Sequence, residues 1–256
     1  MKFLLLLLAT IFFPINVNAT TNTSMLVYNQ TTGTVLLSQG TQTIRPLASI
    51  TKLMTALVAL DAGIDLNRKL TLSSNWPAVL PKKLYTRQEL LIAMLVRSDN
   101  AAAETLATDY PGGRLAFIQE MNLRAKTLGM TNTHFSDASG LSNDNKSTAL
   151  DIHRLLVAAS FQPFIRENSS KRQAEFETVL KKKTHTIILE NTNSPALFEF
   201  ENIVITKTGL TTAAGWCVAV LVEQDNQTYA VIILGAKTKQ DRLDKLKDIM
   251  YTYIVK

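Results

Sequence analysis

Three short runs hold the residue types of acyl transfer. Ser49-Ile50-Thr51-Lys52 sets a hydroxyl three residues before an amine. Ser98-Asp99-Asn100 offers a second hydroxyl and a carboxamide, and Lys207-Thr208-Gly209 a cation, a hydroxyl and a residue without a side chain. A serine hydroxyl is a weak nucleophile until a base takes its proton. Positions i and i+3 of a helix share a face, so Lys52 can reach Ser49. A lysine is a base only when its amine is neutral, which requires burial or a second cation to lower its pKa by several units. The apolar run around Lys52 supplies the burial, and Lys207 is a candidate for the cation. At a helix N-terminus Ser49 also gains free N–H groups and the positive end of the dipole, which stabilise an oxyanion by roughly 3 kcal/mol per donor in acyl-transfer sites.

The three runs differ in specificity. Of fourteen serines, only Ser49 has Lys at +3, and Lys-Thr-Gly occurs once. Ser73-Ser74-Asn75 is a rival to Ser98-Asp99-Asn100, but Trp76-Pro77 follows it and breaks local structure, whereas Ser98 sits between two expected helices. Plainer roles stay open for each: Lys52 turned outward, Ser98 and Asn100 capping a helix, Lys207 as a surface charge. Cys217 lies in the apolar run Trp216–Val220 and reads as core rather than nucleophile. It is the single cysteine, so no intrachain disulfide and no cysteine metal cluster can form. His134, His153 and His185 are far apart without HExxH spacing, so neither metal nor cofactor is expected.

The elements that must position these runs follow from periodicity. Ser24 to Ser38 reads as a hairpin around Asn29–Gly33. A helix from about Ser49 to Ala62, apolar nearly all round, should lie centrally, with Gly63 ending it. Thr86 and Glu89 are spaced as a capping box for a helix to Val96. Further helices are expected at Asn100–Thr108, Arg114–Leu128 and Leu150–Ala159, the last capped by Ser147 or Thr148. Ile203–Thr208, Trp216–Glu223 and Tyr229–Gly235 read as strands, and Gln240–Ile254 as a closing helix with one apolar stripe. The expectation is α+β: a five-stranded antiparallel sheet flanked by terminal helices, with a helical subdomain, roughly residues 64–195, inserted between strands two and three.

Length and composition suit this reading. A chain of 256 residues, 46% hydrophobic and 19% charged, can bury a core and is not disordered. Lys2, the apolar stretch Phe3–Ile15 and Ala19 read as an export signal over residues 1–19, leaving one domain at 20–256. Thirteen apolar residues at about 1.5 Å each do not cross a roughly 30 Å hydrocarbon core, so no stable transmembrane anchor is expected. The net charge of +6 is modest, and Lys181-Lys182-Lys183 reads as a solvated face; nucleic acid is not an expected partner, whereas an anionic wall suits an exported basic protein. Asn22, Asn29, Asn145, Asn168 and Asn226 head weak glycosylation sequons.

The ordered trio SxxK, SxN and KTG resembles that of penicillin-binding proteins and class A β-lactamases. The chain is most similar to low-molecular-mass penicillin-binding proteins, the serine D-alanyl-D-alanine carboxypeptidase and endopeptidase family. The likeness extends through Pro46–Thr55, Leu128–Phe135, Ser139–Leu141, Ser147–Ala149 and Lys207–Gly215. It implies an acyl-enzyme on Ser49 with Lys52 as base, Ser98 relaying a proton to the leaving amine, and Asn100 holding the substrate amide. Lys207 and Thr208, with Gly209 in the same strand, would bind the terminal carboxylate. The N–H groups of Ser49 and Leu210 would form the oxyanion hole, and Arg242 resembles a family arginine that helps bind the carboxylate. The implied partners are peptidoglycan stem peptides, with β-lactams as covalent inhibitors, and the implied location is periplasmic or cell-wall associated. Asp99 departs from the Gly of many carboxypeptidases, and the chain ends at its last helix, without the C-terminal β-domain of larger members, which points to an endopeptidase-like form. A β-lactamase is the alternative, although Glu167-Asn168 only partly echoes its ExxLN segment; a non-catalytic wall-binding protein is the third reading.

Overall fold

The computed structural model describes residues 23–180 and 183–255. The leader expected at residues 1–19, the sequon Asn22 and the pair Lys181-Lys182 lie outside them. The described residues open with β1 (Ser24–Asn29) and β2 (Thr34–Gln39), joined by the expected turn with Gly33 at φ +72°. A 3₁₀ turn, Ala48–Thr51, runs into α1 (Lys52–Asp61). Then follow α2 (Arg87–Val96), α3 (Asn100–Asp109), α4 (Gly113–Thr127), α5 (Ala149–Ser160) and α6 (Pro163–Ser169). A hairpin of β3 (Gln173–Leu180) and β4 (Lys183–Glu190) and the short α7 (Ser194–Glu199) precede β5 (Ile203–Thr211), β6 (Gly215–Gln224) and β7 (Gln227–Ala236). The chain closes with α8 (Lys239–Ile249), ended by a π turn, Met250–Ile254.

Local chemistry explains the helix starts. At α2, Glu89 N–H donates to Thr86 Oγ1 at 3.1 Å and Thr86 N–H to Glu89 Oε2 at 2.6 Å, the reciprocal box read from the spacing. At α5 the cap is Thr148, whose Oγ1 accepts from Asp151 N–H at 3.1 Å. Each such cap satisfies a donor that the helix leaves orphaned and contributes about 1 kcal/mol.

The five-stranded sheet has the order β2-β1-β7-β6-β5, with every neighbour antiparallel. Side chains alternate between its faces. Val218, Val220, Val231 and Ile233 pack with Leu246, Ile249 and Met250 on the side of the closing helix. Cys217, Ala219, Leu221, Ile232 and Leu234 join the larger core shared with α1, α2 and α5. The chain leaves the sheet at Gln39 and returns at Ile203, and this interval holds the helical block. It also holds the β3–β4 hairpin, α6, α7 and two small ladders, Arg45–Pro46 with Lys146–Ser147 and Lys69–Thr71 with Leu84–Thr86. Residues Lys52 to Ala59 of α1 are all buried. Among the described residues, no helix is long and apolar enough to cross a membrane, and no group of three or more His, Cys, Asp or Glu could hold a metal ion.

Cys217 is fully buried in β6, and burial pushes its thiol up to about 11. The native protein is expected to resist a thiol-specific chromogenic reagent at pH 8 and to release one equivalent of chromophore only after unfolding in guanidinium. Full reaction of the native protein would show that β6 is not core.

Candidate active site

Ser49 stands in the 3₁₀ turn and Lys52 is the first residue of α1. A 3₁₀ helix has three residues per turn, so i and i+3 eclipse one another. This aligns the two side chains more directly than an α-helical start does. Lys52 Nζ lies 2.8 Å from Ser49 Oγ, 2.8 Å from Asn100 Oδ1 and 2.5 Å from the Ser139 carbonyl oxygen. Lys52 is wholly buried, whereas Ser49 is partly exposed at the floor of a cleft. Burial brings the Lys52 amine down from 10.5 to about 7, although Asp137, Asp99 and Glu104 each pull upward.

The geometry fits the neutral amine. Asn100 Oδ1 and the Ser139 carbonyl only accept, and a neutral amine has two N–H bonds to give them. Its lone pair then faces the Ser49 hydroxyl. The ammonium form uses its third N–H on Ser49 Oγ and leaves no site for the proton of serine.

The loop that delivers the Ser139 carbonyl is held by two buried side chains to which the sequence reading gave no role. Asp137 accepts from the N–H groups of Ser139, Gly140 and Ser142. Asn145 accepts from Ser136 and Asp137 N–H, and donates to the Asp137 carbonyl and to Thr51 Oγ1. Thr55 Oγ1 donates to the Ala138 carbonyl at 2.6 Å, tying the same loop to α1. Asp and Asn are ordinary turn formers, so their residue types alone do not single out this role. The amides of Asn145 and Asn168 are buried, and both side chains hydrogen-bond within the protein, so neither sequon is available in the folded chain.

Two glycines let backbone close on the turn that carries Ser49 from both sides. A Cβ on Gly140, whose φ is +83°, would come within 1.9 Å of the Ala48 carbonyl oxygen. A Cβ on Gly209 would come within 2.9 Å of the Leu47 carbonyl oxygen and 3.1 Å of Ser49 N. Ala48 itself sits at φ +47° and Ser98 at φ +64°. Such conformations in non-glycine residues cost of order 1–3 kcal/mol each and persist where surrounding packing imposes them.

The other expected residues meet at this cleft. Ser98, Asn100, Thr208, Gly209, Leu210 and Arg242 line it together with Ser49, in a space of about 450 Å³. Lys207 is buried on the same strand and gives an N–H to the Thr208 carbonyl at 3.0 Å. Burial, then the charges of Lys52 and Arg242, hold its ammonium well below the usual lysine range. The repulsion expected between the two lysines thus falls on Lys207, while Lys52 is governed by burial. Arg242 is buried, its Nε has no partner, and its guanidinium lies 5.8 Å from the Trp216 ring centre. Among the described residues, no carboxylate lines the cleft.

Asp99 is structural. Its Oδ1 caps α3 through Ala102 N–H, while Oδ2 accepts from Val79 and Leu80 N–H at 2.6 and 2.9 Å. It thereby fastens one wall of the cleft. Thr192, which the sequence reading passed over, accepts from Thr208 Oγ1 at 2.6 Å and lines the opposite wall. The rival Ser73 faces a different cavity. Glu167 is exposed on α6, paired with Lys171, and does not line the cleft.

Comparison with known proteins agrees with this geometry. The family model for peptidase family S11, D-alanyl-D-alanine carboxypeptidase, matches residues 14–238. The chain is 39% identical over 223 residues to a D-alanyl-D-alanine endopeptidase of Escherichia coli, covering 83% of this chain and 71% of that one. It is 36% identical over 221 residues to a D-alanyl-D-alanine endopeptidase of Pseudomonas aeruginosa, with the same coverage. Among solved structures, penicillin-binding protein D2 of Listeria monocytogenes in its cefotaxime-bound form superposes with a TM-score of 0.78 at 31% identity. That match covers 89% of this chain and 95% of that one.

The close approach at Gly140 makes a prediction. Gly140→Ala should destabilise the protein by about 2–4 kcal/mol, because alanine is strained at this positive φ and its Cβ would strike the Ala48 carbonyl. Urea unfolding measures this; a midpoint equal to that of the parent would show that the 136–145 loop does not press on the turn.

Proposed function

The chain belongs to the D-alanyl-D-alanine carboxypeptidase family of serine peptidases and is a hydrolase, and from that premise we propose that it cleaves peptidoglycan stem peptides and their cross-links through an acyl-enzyme on Ser49. The observation that carries this reading is the buried amine of Lys52 set 2.8 Å from Ser49 Oγ with a pKa of about 7.

In the proposed reaction Ser49 Oγ attacks the carbonyl carbon of the penultimate D-alanine while its proton passes to the lone pair of Lys52. The carbonyl oxygen gains charge against the N–H groups of Ser49 and Leu210, a stabilisation realised mainly in the transition state. As the C–N bond breaks, Ser98 hands a proton to the leaving amine and regains one from Lys52. Water then attacks the ester, and its proton returns by the same route, restoring Ser49. Asn100 holds both the amine of Lys52 and the substrate amide.

The buried Lys207 amine and the Arg242 guanidinium, with no carboxylate beside them in the cleft lining, support recognition of a carboxylate next to the scissile bond. An arriving carboxylate supplies the counter-charge that Lys207 lacks, so binding favours its ammonium form. The relatives at 36–39% identity are named endopeptidases, which supports cross-links as the main substrate. The carboxylate-free cleft disfavours a β-lactamase that activates water with a glutamate. Penicillin-binding protein D2 has been solved with cefotaxime and with ampicillin bound, which supports β-lactams as covalent inhibitors here. A wall substrate implies an exported enzyme, in keeping with the leader expected at residues 1–19.

Labelled penicillin should form a stable adduct with the parent and none with Ser49→Ala. Its acylation rate should rise with pH through about 7: below that the Lys52 amine is protonated and cannot accept, and each unit lower should cost about tenfold. A flat profile between pH 5 and 9 would remove Lys52 as the base. Arg242→Ala should lower kcat/KM about 10–100-fold on peptides ending in a free carboxylate, the worth of one charged hydrogen bond, and leave C-terminal amides little changed. Equal loss on both would remove the carboxylate role. Digestion of purified peptidoglycan, followed by mass analysis, should release monomers from cross-linked dimers.

A further inference from the structure

A second cavity, of about 600 Å³, opens beside the catalytic cleft, and the proposed reaction does not use it. Trp76 lies half-buried on its wall, with the guanidinium of Arg114 at 5.4 Å from the ring centre. Its charges are spent internally. Arg114 pairs with the buried Glu104, and Asp109 pairs with Arg68 and Arg87. By contrast, the exposed Asn75 carboxamide and Thr71 hydroxyl have no protein partner among the described residues. An aromatic plane beside unspent amide and hydroxyl groups, with the ionic groups neutralised, does not suit an ion. It suits an uncharged ring with apolar C–H faces and a polar rim.

The cavity is rigidly joined to the catalytic cleft. Helix α3 begins at Asn100 in the cleft and presents Thr105 and Thr108 in the cavity, about 8 and about 12 Å along at 1.5 Å per residue. The loop that carries Trp76 also carries Val79, which lines the cleft. Pro77 O accepts from Ala101 N–H at 3.2 Å, and Asp99 holds Val79 and Leu80, so the loop is fixed along α3. At about 3.3 Å per residue, an extended peptide of about four residues bridges the two sites.

We propose that this cavity is a subsite for the N-acetylated sugar strand to which the substrate peptide is attached, with Trp76 stacking on a ring and Asn75 bonding its acetamide or hydroxyls. The inference rests on the peptidoglycan reading above. The subsite makes the enzyme prefer peptides still joined to glycan over free ones.

The test compares the parent with Trp76→Ala, Trp76→Phe and Asn75→Ala on two substrates, a short free peptide ending in D-alanyl-D-alanine and the same peptide attached to a disaccharide. Trp76→Ala should raise KM about tenfold on the glycan-linked substrate, with kcat held and the free peptide within about twofold. Trp76→Phe should recover part of the loss, and Asn75→Ala, at an exposed residue, should show a smaller rise in KM with the fold intact. Titration with tetra-N-acetylchitotetraose should saturably change the fluorescence of the parent and not that of Trp76→Phe. Equal kinetics of all variants on both substrates, or no fluorescence change in the parent, would overturn the subsite. Labelled penicillin separates the two claims: a parent that is not acylated and cuts neither peptide contradicts the proposed reaction, while the sugar titration still decides the subsite.

Discussion

The amine of Lys52 is wholly buried among three hydrogen-bond partners, and most of the site exists to keep it so. Two neighbours are pure acceptors, the Asn100 amide oxygen and the Ser139 carbonyl, and the third is the Ser49 hydroxyl. The carboxylates of Asp137, Asp99 and Glu104 alone would favour the ammonium. Desolvation works against them and prevails, which places the balance near neutrality. A shallower site would leave Lys52 a permanent cation and Ser49 a spectator. A deeper one without the acceptors would leave two N–H groups unsatisfied.

That arrangement explains features that are costly by themselves. Asn145 and Asp137 are buried polar groups at the centre of a loop, tolerable because nearly every bond they can make is made inside it. Ala48 and Ser98 hold positive φ where glycine would be easier. Gly140 and Gly209 are glycines because any side chain would strike the turn that carries Ser49. The apolar core of α1 and the sheet bears this strain, so stability stored in packing supports chemistry at the surface of that core.

Much of this was legible in the sequence. The trio of runs, the capping box at Thr86 and Glu89, the strands of the main sheet and the closing helix all follow from spacing, because each depends on neighbours a few residues apart. The role of Asp137 and Asn145 does not, since their partners are set by the third dimension and their residue types suit any turn. The β3–β4 hairpin was absorbed into a helical block, although Ala174 and Phe176 point inward while Glu175 and Glu177 point out, an alternation only a few residues long. Helix α6, at seven residues, is too short for a 3.6-residue period to declare itself. Asp99 looked like a departure from pattern; its bonds to Val79 and Leu80 give it a structural reason.

The state of one amine is the central claim, and its titration is the direct measurement. Lysine labelled with ¹³C at Cε, with the Lys52 signal assigned by its loss in Lys52→Arg, should show a chemical-shift midpoint near pH 7 in the free enzyme. A signal that stays in the ammonium range up to pH 10 would contradict the account.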